Sequence, residues 1–135
     1  MRTTEQSESL STRIEQLASQ ARADKRSIEA RQLQVPDSEQ ALEFLRTGAG
    51  PAIMLYIEGR TGGRMYDFGT TGYEQLEWAM NVWFDCYAAC YGVTRVDRTP
   101  LRTAAELLIE TQNIEDTAML VTGVPEGRKS NPNRG

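Results

Sequence analysis

Apolar positions repeat with different periods in successive parts of the chain. Leu10, Ile14, Leu17, Ala21 and Ile28 follow one another at heptad spacing, with Asp24 at the seam position between the last two. This predicts a long N-terminal amphipathic helix of about two and a half heptads. Such a helix is marginal alone in water and needs a covering surface, either its own domain or the same helix of a second copy. Pro36 closes the segment, because the residue before a proline avoids the helical region. Asp37 or Ser38 then caps a short helix through Arg46, with Ala41, Leu42 and Leu45 as its stripe and Phe44 beside it. Gly48 stands where a left-handed residue would end that helix.

The pattern then changes. Residues 52–58 form a short apolar run with β-branched and aromatic members, residues 64–68 follow, and a glycine-rich stretch at 59–63 separates them. This predicts a β-hairpin with Ile53, Leu55 and Ile57 on one face. A lone hairpin is marginal, so further pairing is expected from residues 32–35, residues 93–97 or a second subunit.

From about Gly72 to Tyr91 the helical period returns. Thr71 and Glu74 have capping-box spacing. Glu74, Glu77, Asn81 and Asp85 fall in one narrow arc, and most of the remaining girth is apolar. Nine of the ten aromatic residues lie between Tyr56 and Tyr91, which places the folding core in the hairpin and this helix. Gly92 ends the helix. Thr99 caps a further helix with Pro100 at its first position and Leu101, Ala104, Ala105 and Leu108 turned inward. Residues 114–122 suit either helix or strand; the acidic Glu115 and Asp116 near the start favour helix. The expected fold class is therefore α+β: a long N-terminal amphipathic helix, a short helix, a central β-hairpin, a buried aromatic helix and a helical C-terminal part.

Length and composition refine this picture. A chain of 135 residues fits one domain and can bury a sizeable core without disulfides. Residues 1–9 and 125–135 are polar, which predicts a flexible N-terminus, a single domain over 10–124 and a disordered tail. The net charge of −4 is uneven: residues 36–125 hold thirteen acidic against six basic side chains. An acidic centre repels phosphate backbones and argues against nucleic acid. Two lysines against thirteen arginines suggest a GC-rich genome, and with the acidity a salt-adapted organism. No leader-like segment and no membrane-length apolar run is read, and two cysteines four apart make no disulfide framework, so the expected setting is cytoplasmic.

The candidate chemistry is limited by the absence of histidine. That removes histidine-based triads, histidine-ligated zinc and the usual base near neutral pH. No catalytic residues and no cofactor are assigned. Cys86 and Cys90 share a helix face and are the candidate metal ligands or redox pair; in a two-fold dimer they would form an all-thiolate set. They also lie within the apolar arc, where free cysteines act as small hydrophobes. The glycine-flanked Thr70 and Thr71 at a helix start, with Glu74 nearby and Arg64 as countercharge, are the candidate anion site. The polar stripe from Glu74 to Asp85 reads as a solvated face or, alternatively, as the wall of a cleft. The favoured role is a small non-enzymatic interaction or regulatory module acting as a homodimer, with Leu10, Ile14, Leu17, Ala21 and Ile28 as the interface. The alternatives are a small anionic-ligand site or enzyme between the hairpin and the central helix, using Tyr66, Asp67, Glu74 or Asp85, and a thiol metal or redox site at Cys86 and Cys90.

Overall fold

A computed structural model describes the backbone over residues 2–30, 37–61 and 69–124, and side chains over 11–30, 37–59 and 71–124. The elements are α1 (Arg2–Ala30), α2 (Ser38–Phe44), a π-helical turn (Leu45–Ala49), α3 (Gly50–Thr61), α4 (Gly69–Ala89), α5 (Leu101–Thr111) and α6 (Ile114–Thr122). Among the described residues there is no strand, so the architecture is all-helical and the α+β expectation is corrected.

The expected first strand of the hairpin is α3. Two local features explain the difference. Pro51 sits in the first turn of α3, where its fixed φ suits a helix and its missing N–H falls at the change from π-helical to α-helical bonding. The apolar run is buried at Ala52, Ile53, Leu55 and Tyr56 while Met54 and Glu58 face out. That is a helical period and not alternation; a short, nearly continuous apolar run does not distinguish the two by itself. Thr61 ends α3, so the expected turn at 59–63 begins as helix. The expected second strand at 64–68 and the candidate pairing segment at 32–35 lie outside the described residues. Residues 93–97, the other candidate strand, have no regular secondary structure.

Gly48 does not end a helix. The Asp37 side chain accepts from the Gln40 N–H and caps α2 as expected. The rod then continues through the π-helical turn into α3. A Cβ at Gly48 would overlap the Trp83 ring, so the missing side chain serves a close helix–helix contact. A single widened turn is the usual form of π-helix.

The centre of the molecule is α4. Leu76, Ala79, Met80, Val82, Trp83, Phe84, Cys86 and Tyr87 are all buried along it. It is covered by α1 along its length and by α2, α3, the π-helical turn and α6 elsewhere. It begins at Gly69, before the expected start, so Thr71 lies inside its first turn and not at a cap. Gly92 adopts φ +79° and lets the chain leave the helix, with the N–H groups of Gly92 and Val93 returning to Ala89 and Ala88. The Asp37 N–H donates to the Cys90 carbonyl at 3.0 Å and ties the start of α2 to the end of α4. Residues 114–122 are helical: the Asn113 side chain accepts from the Asp116 N–H, and Gly123 closes α6 at φ +80°.

The seam of α1 lies against α4 of the same chain. Ile14, Ala18 and Ala21 are buried there, and Leu17 and Ile28 pack against the core. Asp24 is explained by a buried partner: the Trp83 Nε1–H donates to its Oδ2 at 2.8 Å. The carboxylate at an otherwise apolar seam position satisfies an indole that has no contact with water.

Candidate functional site

The polar stripe of α4 is an internal seam. Residues 93–100 cross it as a strap without regular secondary structure. Asn81 is only 2% exposed, and its side-chain nitrogen donates to the carbonyls of Glu77 and Thr99. Its side-chain oxygen accepts from the Thr99 N–H at 2.9 Å. The Arg95 guanidinium donates to the Asn81 carbonyl, to the Thr99 hydroxyl and to Asp85 Oδ1 at 2.8 Å. Arg98 adds a second, exposed contact to the same carboxylate. Burial pulls the Arg95 pKa down, and the Asp85 carboxylate counters that pull. Glu77 accepts from the Leu101 N–H at 2.8 Å and supplies the acceptor that Pro100 lacks at the start of α5. A carboxylate at a helix N-terminus is favourable on both hydrogen-bonding and dipole grounds. The reading of Glu77, Asn81 and Asp85 as a solvated face is corrected: they fasten the strap and the N-terminus of α5 to α4. Glu74, one turn earlier, is exposed and outside this network.

The remaining candidate residues are scattered. Thr71 is exposed on the first turn of α4. The side chains of Arg64 and Thr70 lie outside the described residues, as do those of Tyr66 and Asp67. Cys86 and Cys90 are each 1% exposed on the inward side of α4. Burial, with smaller contributions from Asp24 and Asp85, pushes the Cys86 thiol from 9.0 to about 12, which leaves it protonated and weakly nucleophilic. Among the described residues no group of three or more His, Cys, Asp or Glu is arranged to hold a metal ion. Of the proposed interface, Ile14 and Ala21 are covered by their own chain, Leu17 and Ile28 are partly so, and Leu10 has no described side chain.

Among the described residues are two concave regions that bring together side chains the sequence assigns to separate elements. The larger, about 610 Å³, is a groove between α3, α5 and the start of α6. Pro51, Met54, Ile57, Leu108, Ile109 and Ile114 line it, and among the described residues Arg46 is the one charged side chain in its lining. Met54 is 43% and Ile109 58% exposed, unusually open for side chains of this kind. One signal was available in the sequence: Ile109 follows Leu108 and widens the stripe of α5 beyond what a helix end buries on one side. The smaller region, about 300 Å³, lies between the C-terminal half of α1, α4 and the start of the strap.

Fold and site together define, over the described residues, an all-helical domain with a strap-locked central helix and an apolar groove between α3 and α5. Among the described residues no helix is long and apolar enough to cross a membrane. The chain belongs to the family described as a domain of unknown function, DUF8055, whose model matches residues 8–126. No curated protein and no solved structure matches it.

Proposed function

We propose that the protein is a non-enzymatic interaction module that works as a homodimer, and that its self-association surface is the α3–α5 groove. The observation that carries this reading is an apolar groove whose own lining side chains Met54 and Ile109 are 43% and 58% exposed. A two-fold interface presents the same patch from both sides, so it must be complementary to itself in shape and charge. The charges meet that requirement: Arg46 lines the groove, and Glu106 stands one turn before Ile109 with Arg102 beside it. A second copy therefore brings both signs to the rim as well as an apolar side chain to the groove. Desolvating such a patch is the main favourable term in association.

The dimer expected from the α1 seam is thus moved to a different face, because the seam is already covered by α4. Sedimentation equilibrium of the full chain tests the proposal. The expected result is about twice the chain mass at micromolar concentration and a shift to the monomer mass for Met54→Asp. A wild type that stays monomeric across that range would overturn it.

A further inference from the structure

The smaller cavity has a divided lining. Its floor is apolar: Ile28 from α1, Val82, Cys86 and Ala89 from α4, and Val93 from the strap. Its charged groups are Lys25 and Glu29 on one side and Asp85 and Arg95 on the other. The second pair is committed to the fold. The Arg95 side chain is 5% exposed and its guanidinium is spent on Asp85, Asn81 and Thr99, which makes the strap a fixed wall. The first pair is open. Lys25 Nζ donates to Glu29 Oε2 at 3.0 Å, and both side chains are about half exposed, at 48% and 60%. Among the described residues that bond uses one ammonium hydrogen and one carboxylate oxygen, leaving donors and an acceptor side by side at the mouth.

The charge balance selects the ligand. With two cations and two carboxylates the cavity is neutral, so a purely anionic or cationic molecule gains from one member of the open pair and is repelled by the other. A zwitterion whose charges are a few bonds apart meets Lys25 with its carboxylate and Glu29 with its ammonium. A volume of about 300 Å³ is at the small end for ligand pockets and suits a single amino acid. We propose that this cavity binds a free hydrophobic α-amino acid, with its head group on the Lys25–Glu29 pair and its side chain over Val82, Cys86 and Ala89. The site is separate from the dimer surface and stands independently of it.

Isothermal titration of the full chain decides the matter, with L-leucine and L-phenylalanine as probes and 4-methylpentanoate and isopentylamine as singly charged controls. Saturable binding of at least one amino acid is expected, with a Kd of about 1 mM or tighter, and both controls should be weaker by about tenfold. Lys25→Glu makes the mouth acidic and should turn the preference toward the amine. Glu29→Lys should turn it toward the carboxylate. Both positions are exposed, so an unchanged melting temperature verifies the fold. Ala89→Phe, which fills the floor, should abolish the heat of binding. No saturable heat from either amino acid would overturn the proposal. So would controls that bind as well as the amino acids, or a preference that neither charge reversal moves.

Discussion

The strap seam and the α3–α5 groove invert the usual distribution of polar and apolar side chains, and they do so in opposite directions. Along the seam, polar residues that looked destined for solvent are covered, and each finds its partner within the chain. In the groove, apolar residues that looked destined for the core stay open to solvent. The difference separates internal from external demands. A polar group can be buried when the chain supplies its partners, as Thr99 and Arg95 do for Asn81. An exposed apolar cluster has no such internal remedy, because only another surface removes it from water. The seam therefore belongs to the stability of the fold, and the groove is the surface we propose for self-association.

Substitutions at the seam should be costly. Asn81→Leu removes the partners of the Thr99 N–H and carbonyl and of Arg95 at once. It should destabilise the protein by about 3 kcal/mol or more, read as a lower midpoint in urea. A midpoint within error of wild type would show that the strap is not bound to α4 as described. Smaller and more discriminating is the contrast between the shared Asp85 carboxylate and its exposed partner Arg98. Removing the shared carboxylate, Asp85→Ala, leaves the buried Arg95 uncompensated and should cost about 2 kcal/mol. Arg98→Ala, on the exposed side of the same cluster, should cost about 0.5 kcal/mol or less. Equal losses would contradict the buried–exposed division.

Alkaline unfolding provides a further test of the α4 interior. The Cys86 thiol keeps its proton in the folded state to about pH 12, whereas an unfolded thiol loses it near 9.0. Between those values the unfolded chain binds fewer protons, so stability falls as pH rises. The Cys86 contribution is intact below about pH 9 and should decline by roughly 1 kcal/mol per pH unit at its steepest. Cys86→Ala should flatten this part of the pH–stability curve. A curve of the same slope would place the thiol in contact with water.

How far the sequence could be read follows from the range of the interactions involved. The helices α1, α4, α5 and α6 were legible because their apolar periods are local; the helix starts were less so, since Thr71 lies inside α4 and Pro100, not Thr99, is the N-cap of α5. The α3 helix was not, since a run of six apolar residues satisfies either period and only Pro51 distinguished them. Gly48 was misread as a helix end for a related reason: what it accommodates is Trp83, 35 positions away in the chain. The polar stripe was seen, but its meaning lay in Arg95 and Thr99, which reach it across a turn and a strap. Asp24 looked like a flaw in the α1 seam until the Trp83 indole, 59 positions away, appeared as its partner. The groove left only the faint trace of Ile109.

The most direct test of the dimer sets the covered seam of α1 against the open groove. Native mass spectrometry and thermal melting would be run on wild type, Leu17→Asp and Ile109→Asp. A dimeric wild type is predicted, with Ile109→Asp becoming monomeric while its melting temperature stays within about 2 °C of the wild-type subunit, as for a surface change of about 0.5 kcal/mol. Leu17→Asp, which puts a charge against α4, should instead melt at a lower temperature. An Ile109→Asp protein that remains dimeric, or a wild type that is monomeric throughout, would contradict the assignment of the groove as the surface through which this protein acts.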